Sequence, residues 1–284
     1  MRVRTSHLGT LFWPPHCGEL GGSPFHSLGR ISGTMQPPLL RPSLGSSRNS
    51  LLLWAVAFGL GFTALRAFAM LGPVAVRPLF LLHCVLMAAT PWLLLTALGR
   101  AQAGIQRPNR ALWLVVAPFV GVAASVVCFA IGFLLFERTA DNWFVSVGNS
   151  FRAQPTPNFS IVQLHLMFTI PAIIFSPIGE EIYFRGVLQR AFETRFSPPL
   201  SSALESGWFG AAHLIHHGLF LSAAGITFRP VSGTLWFLLM TLLSLAFAAL
   251  RKVSNSVIPA VIAHSAFNAT MNFFIFGYLW SNAA

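Results

Sequence analysis

Residues 111–136 read ALWLVVAPFVGVAASVVCFAIGFLLF, a run without a single charged side chain. An α-helix needs about 20 apolar residues to cross the hydrocarbon core of a bilayer, and this run is long enough. The chain contains six further apolar runs of similar length, at about 50–72, 78–98, 161–179, 200–223, 231–250 and 256–280. We therefore predict an all-α fold, a polytopic transmembrane helical bundle of about seven spans. The run at 161–179 can continue to Ala191 as one long helix, kinked near Pro171 or Pro177.

The composition of the chain excludes a soluble globular protein. Hydrophobic residues make up 55% of the 284 residues and charged residues only 9%, whereas soluble domains carry about 25% charged residues. The net charge of +11 does not indicate a nucleic-acid partner, because the basic residues lie between the apolar runs. In those positions they face anionic headgroups or set the topology, which predicts membrane lipid as a partner and no nucleic acid.

The chain divides into three predicted regions. Residues 1–49 are rich in Gly, Pro and Ser and lack a sustained period, so we predict a disordered N-terminal segment. Residues 50–150 hold the N-terminal transmembrane helices, and residues 151–284 hold a helical core with the chemistry-bearing groups. With a cytoplasmic N-terminus and seven spans, 13 of the 18 Lys and Arg residues fall on the inner side. The ratio of 17 Arg to one Lys favours a bacterial source, hence an integral protein of the inner membrane.

Three clusters of polar or ionisable residues lie inside or beside apolar runs. The first is the stretch GEEIYFR, residues 179–185. Such groups are costly to bury and therefore suggest function. On a helix, Glu181 and Arg185 are four residues apart on one face and can pair. Glu180 points about 100° away and is free to act as a general base. The alternative is an ordinary helix end with solvated charges.

The second group is His213, near the middle of its apolar run, with Phe209 four residues before it. A single histidine of this kind is more often a hydrogen-bonded structural residue than a catalyst. His216 and His217 are predicted to be interfacial, because the glutamate of a zinc-binding H-E-x-x-H motif is missing. Single polar residues elsewhere, Arg66, His83 and His165, are expected to have no catalytic role, and Arg66 to snorkel or to pair with a lipid phosphate.

The third group is His264 and Asn268, also four residues apart. Both face the same side of a helix, where two donors can meet one substrate oxygen and form an oxyanion site. The alternative is hydrogen bonding between helices, worth roughly 1 kcal/mol for each residue.

Together, the three groups resemble the motifs of the CPBP family, the CAAX-processing and bacteriocin-processing intramembrane proteases. The family pattern is E-E-x-x-x-R, F-x-x-x-H and H-x-x-x-N, and the resemblance covers about residues 165–275. It implies a helical bundle with a polar cavity inside the membrane and hydrolysis of a peptide bond in a membrane-associated or lipidated substrate. The implied catalytic residues are Glu180 and His213, which activate a water, and His264 and Asn268, which stabilise the oxyanion. Glu181 and Arg185 are implied as supporting residues.

Three alternatives remain open at this stage. A Zn²⁺ ion held by Glu180, His213 and His264 would have three protein ligands and one open position, although glutamate-activated water needs no metal. A catalytically inactive membrane scaffold or bacteriocin-immunity protein of the same family would keep the motifs for structural reasons. A transporter is disfavoured, because the polar residues cluster in three of the seven runs.

Overall fold

The computed structural model describes residues 38–47, 49–154, 158–222 and 225–280. Within this part, the chain is built from helices and one short β-hairpin, so the prediction of an all-α bundle is confirmed apart from the hairpin. The helices are α1 (Ser50–Leu71), α2 (Leu79–Leu94), α3 (Ala97–Gln102), α4 (Leu112–Phe136), α5 (Trp143–Arg152), α6 (Ile161–Glu181), α7 (Gln189–Glu193), α8 (Pro198–His213), α9 (Pro230–Ser254) and α10 (Ile258–Phe274). The antiparallel hairpin consists of β1 (Leu219–Ser222) and β2 (Gly225–Phe228). Short 3₁₀ turns lie at Pro42–Leu44 and Val74–Val76, and π-helical segments at Ile182–Leu188 and Ile275–Leu279.

Six helical segments of the described chain are long and apolar enough to cross a bilayer. The fifth predicted run, at 200–223, is not a span and instead forms the 16-residue α8 followed by the hairpin. The predicted continuation of the fourth run is present, because α6, a π-helical segment and α7 form one candidate span over Ile161–Glu193. Large apolar side chains such as Leu134 and Phe119 are exposed on these helices, as lipid contact requires. The chain is therefore an integral membrane protein.

Hydrogen bonds between distant residues define the two ends of the bundle. At one end, Lys252 in the last turn of α9 donates to the Pro198 carbonyl at the start of α8, and Arg251 pairs with Glu193. At the other end, Arg229 after the hairpin pairs with Asp141. We name these the Glu193 end and the Asp141 end. Helix α8 begins at the Glu193 end, and the hairpin that follows it ends at the Asp141 end. Helix α8 and the hairpin together therefore connect the two ends of the bundle.

The predicted disordered segment 1–49 extends too far. Residues 1–37 and 48 lie outside the described residues, but the remainder is tied to the end of α2. The Arg41 amide donates to the Leu94 carbonyl at 2.9 Å, and the Thr96 amide donates to the Leu39 carbonyl at 2.9 Å. Leu40, only 5% exposed, belongs to the apolar core of the bundle. An apolar anchor of two or three leucines has no periodicity that the sequence could reveal.

Pro171 and Pro177 lie inside α6, and the second frees a backbone carbonyl that α10 binds. Pro177 has no N–H, so the Ile173 carbonyl one turn earlier loses its helical donor. Ser265 on α10 donates to this carbonyl at 2.7 Å, and Asn268 donates to the adjacent Ala172 carbonyl at 2.9 Å. The freed Ile173 carbonyl and the neighbouring Ala172 carbonyl are thereby bonded by α10, which fixes α6 and α10 side by side.

Gly179, directly before the two glutamates, allows the backbones of α6 and α2 to meet. A Cβ atom at this position would overlap the carbonyl oxygen of Cys84. Gly121 on α4 has the same role against the Ala263 carbonyl of α10. Small residues at such crossings permit close helix packing in a membrane, where apolar burial alone drives little association.

Candidate active site

The stretch that follows Gly179 changes its helical form at the site. Glu180 and Glu181 complete the α-helical part of α6, and residues Ile182–Leu188 continue as a π-helix. A π-helical turn widens the spacing of side chains and is frequent at functional sites. Both glutamate side chains are fully buried, as is Arg185. Buried charges are tolerated only with partners, so the contacts of each carboxylate define the site.

Glu180 binds groups from α1, α6 and α8. Its Oε1 atom accepts from Arg66 Nη1 at 3.0 Å and from Ser176 Oγ at 2.7 Å. Its Oε2 atom lies 3.5 Å from His213 Nε2 and has no hydrogen-bond partner among the described residues. One carboxylate oxygen is therefore saturated, and the other is left facing an imidazole nitrogen.

Glu181 contacts a different set of charged residues. Its Oε2 atom lies 2.9 Å from Arg185 Nε, which is the pairing that the i,i+4 spacing predicts. Its Oε1 atom lies 2.8 Å from His264 Nδ1 on α10. Arg185 also pairs with Glu205 of α8 at 3.1 Å and donates to Ser244 of α9 at 3.0 Å. The guanidinium thus holds three helices together, with a glutamate on either side.

Phe209 brings the two histidines of the site into one cluster. Its carbonyl oxygen lies 2.7 Å from His213 Nδ1, and its ring stacks on the His213 imidazole with centroids 4.1 Å apart. The same ring meets the His264 imidazole edge-on at 6.1 Å and lies under the Arg185 guanidinium at 4.3 Å. The F-x-x-x-H spacing therefore has a physical basis, because one turn of α8 places the carbonyl and ring of Phe209 beside His213.

The structure brings most of the predicted site residues together. Glu180 contacts His213, and Glu181 contacts both Arg185 and His264. Asn268 lies on the same helix as His264, but its Nδ2 atom donates to the α6 backbone. One amide hydrogen of Asn268 is used for packing, and the second hydrogen is free to meet another acceptor.

Three residues of the site differ from the sequence-based expectation. Arg66 is neither snorkelling nor bound to lipid, since it is 2% exposed and paired with Glu180. His216 is not interfacial, because its Nε2 atom contacts the Arg66 guanidinium. Glu205, a buried carboxylate that pairs with Arg185, was not identified as a site residue. The sequence does contain a signal for two of these residues, because a charged residue within an apolar run suggests function. Arg66 and Glu205 meet this criterion as well as the motif residues do.

The other histidines of the described chain pack mainly against aromatic rings. His217 is buried against Trp143 rather than interfacial, and His165 stacks on Phe276. His83 contacts the rings of Phe62 and Phe80. His83 Nδ1 also lies 3.8 Å from Cys84 Sγ, so the contacts of these three histidines are mainly packing contacts.

Outside the membrane-spanning helices, burial and neighbouring charges shift the pKa values of His216, His217 and Asp141. Burial and the adjacent Arg66 guanidinium lower the pKa of His216 well below its usual value. Burial, followed by the charge of Arg229, lowers the pKa of His217 to about 4. At the Asp141 end, the hydrogen bond from Arg229 holds the pKa of Asp141 below its ordinary range. His216 is therefore neutral at physiological pH, and Asp141 is ionised.

The residues proposed for zinc do not fit that role in this arrangement. Arg66 donates to Glu180 Oε1 and lies 3.3 Å from His213 Nε2, so a guanidinium lies where the metal would bind. His264 directs its Nδ1 atom to Glu181. Among the described residues, His, Cys, Asp and Glu side chains form no group of three or more that could hold one ion.

Comparison with protein families gives a match to part of the chain. Residues 162–270 match a family model described as Rce1-like: Type II CAAX prenyl endopeptidase Rce1-like. This range contains all three predicted motifs, so the predicted resemblance to the CAAX-processing proteases is confirmed. Helix α1, with Arg66, lies before the matched range. No curated protein and no solved structure matches the chain.

Proposed function

We propose that the protein is an intramembrane endopeptidase that hydrolyses a peptide bond in a membrane-associated substrate. The observation that carries the proposal is the approach of Glu180 Oε2 to His213 Nε2 at 3.5 Å, inside the bundle. The two side chains come from α6 and α8, 33 positions apart in the sequence. Such convergence of a buried carboxylate and an imidazole is the arrangement that a hydrolytic water requires.

The hydrogen bonds of the site support a position for that water. The Phe209 carbonyl only accepts, so His213 Nδ1 carries the proton that it receives. In a neutral imidazole, Nε2 is then an unprotonated acceptor. Glu180 Oε2 is also an acceptor, and two acceptors at this distance repel each other unless a donor lies beside both. Arg66 Nη2 already faces the Nε2 lone pair at 3.3 Å, so we place a water that donates one hydrogen to Oε2 and, with the other, shares this lone pair with the guanidinium.

The reaction follows from these two contacts. The water oxygen attacks the carbonyl carbon of the scissile peptide bond, and its proton passes to Glu180 Oε2 while the carbonyl π electrons move to oxygen. His213 Nε2 keeps the other hydrogen of the water oriented. Collapse of the tetrahedral intermediate breaks the C–N bond, and the proton on Glu180 goes to the leaving amine. The products are a new carboxyl group and a new amine, and the protein is unchanged.

His264 and Asn268 are proposed to stabilise the oxyanion. The Nδ1 atom of His264 lies 2.8 Å from the Glu181 carboxylate, and the proposed role requires its Nε2 atom to carry a hydrogen for the substrate oxygen.

The proposed substrate is a peptide or protein anchored in the membrane. The description of the matching family names prenylated CAAX substrates. The strong use of Arg over Lys favours a bacterial cell instead, where a prenyl group is not the expected anchor. We propose an inner-membrane location with a cytoplasmic N-terminus, membrane lipid as the surrounding partner, and no nucleic acid.

The test uses purified protein in proteoliposomes with a library of fluorogenic peptides carrying an acyl or transmembrane anchor. Wild-type protein should cleave members of this library, and Glu180→Gln and His213→Ala should each lose at least about 100-fold in rate. Glu137→Gln is the matched control, because it makes the same chemical change at an exposed residue. Cleavage by Glu180→Gln at the wild-type rate would show that the proposal is wrong.

One observation favours a second candidate, an inactive scaffold or a bacteriocin-immunity protein of the same family. Arg66 neutralises Glu180, and an ion pair between α1 and α6 also serves a purely structural purpose. The two candidates differ in cells that depend on the protein. A scaffold predicts that Glu180→Gln rescues the phenotype of a deletion strain, whereas a protease predicts no rescue.

A further inference from the structure

Arg66 contacts three site residues at once, from a helix outside the matched range. Its Nη1 atom donates to Glu180 Oε1, and its Nη2 atom lies 3.3 Å from His213 Nε2. The same Nη2 atom contacts His216 Nε2. The guanidinium is buried, and Phe80 lies on one side of it at 5.5 Å.

In each of these polar contacts, Arg66 is the hydrogen-bond donor. A guanidinium only donates hydrogen bonds, and it keeps its proton in proteins. An imidazole nitrogen that faces it must therefore be an acceptor, without a proton. His213 is constrained at both nitrogens, since the Phe209 carbonyl requires a proton on Nδ1 and Arg66 requires a lone pair on Nε2. Only one neutral tautomer satisfies both neighbours.

We propose that Arg66 is a positioning residue that keeps His213 neutral and its Nε2 lone pair directed beside Glu180 Oε2. This inference rests on the proposed hydrolysis, because it assigns to Arg66 the state of the imidazole that holds the water. The same guanidinium binds the other oxygen of Glu180 and so leaves Oε2 as its free acceptor. One side chain thus sets the orientation of both water-binding atoms.

Helix α1 has other attachments, so a change at Arg66 is separable from loss of the fold. One turn earlier, Thr63 accepts from Trp208 of α8 at 3.1 Å. Tyr183 of the π-helical segment donates to the Ala55 carbonyl. Thr63→Val therefore removes a polar tether between the same two helices without touching the site, and it is the matched control.

The experiment compares Arg66→Gln, Arg66→Lys and Thr63→Val in the cleavage assay. Arg66→Gln should reduce kcat by about 100-fold with little change in KM, because it disturbs the water and leaves substrate binding intact. Arg66→Lys should recover part of this loss through the ammonium donors, and added guanidinium ion should raise kcat of Arg66→Gln. Thr63→Val should keep the wild-type kcat.

A direct readout of the tautomer uses ¹⁵N-histidine NMR of wild-type protein, with the His213 signals assigned by their loss in His213→Ala. The expected signature is a protonated Nδ1 and an unprotonated Nε2. A protonated Nε2, or an imidazolium at neutral pH, would overturn the inference even if the Arg66 variants do not fold. Wild-type kcat in Arg66→Gln, or an equal loss of kcat in Thr63→Val, would also overturn it. Failure of the proposed function itself is distinct, since it appears as full activity of Glu180→Gln.

Discussion

Arg185 is the residue whose removal should damage the bundle most. Its side chain is fully buried and pairs with Glu181 at 2.9 Å and Glu205 at 3.1 Å. Replacement by methionine keeps much of the volume but leaves two buried carboxylates without their shared cation. Breaking a buried ion pair by removal of one partner costs about 3–5 kcal/mol. We expect Arg185→Met to lower the free energy of unfolding by at least this amount.

A second substitution tests whether the uncompensated charge is the cause. In the Arg185→Met background, Glu205→Gln removes one of the two stranded carboxylates and should restore about 0.5–3 kcal/mol, the range of couplings between residues in contact. Loss of packing alone predicts no such recovery. The sign of the Glu205→Gln effect therefore separates charge from volume.

The assay is reversible unfolding of purified protein in mixed micelles with increasing denaturing detergent. Arg190→Met is the control, because it makes the same change a few residues further on, where the side chain is partly exposed and its ion pair is worth about 0–1 kcal/mol. If Arg185→Met is no less stable than Arg190→Met, the reasoning about the buried cation is refuted.

Three further predictions concern the bundle rather than the chemistry. Ser265→Ala should cost about 1–3 kcal/mol, because it leaves the Ile173 carbonyl without a donor. Pro177→Ala in the same protein should recover most of this loss by restoring a backbone N–H, and unfolding titrations that show no recovery would contradict the assignment. Gly179→Ala should separate two helices at the site and lower cleavage activity as well as thermal stability; unchanged activity would mean that the close approach does not position the glutamates. The pKa of Asp141 is depressed in the folded protein, so its ion pair contributes above the ordinary carboxyl pKa and is lost as pH falls through the folded value. Melting temperatures between about pH 3 and pH 7 should fall slightly on the acid side in the wild type and not in Asp141→Asn, and equal slopes would refute the assignment.

The sequence was sufficient to predict the spans because the bilayer imposes length and apolarity on each of them. It was also sufficient to predict the pairing of Glu181 with Arg185, since residues at i,i+4 lie on one face of a helix. The run at 200–223 was assigned incorrectly because hydropathy does not distinguish a long helix from a shorter one followed by an apolar hairpin. The π-helical turn after Glu181 has no sequence signal of its own.

The contacts of Arg66 could not be predicted, because they depend on how α1 packs against α6 and α8. Glu180 lies 114 positions away and His216 lies 150 positions away, and no local pattern joins them. A single arginine in an apolar run permits snorkelling and burial equally well from the sequence alone. Only the packed bundle shows that its charge is neutralised by a carboxylate inside the protein.

The most direct test of the central claim is a single turnover in H₂¹⁸O with a cleavable anchored peptide and excess purified enzyme. If a water beside Glu180 and His213 attacks the peptide bond, the new carboxyl group contains one ¹⁸O atom after the first turnover. An unlabelled carboxyl group would mean that an enzyme oxygen is transferred instead, and it would contradict the account.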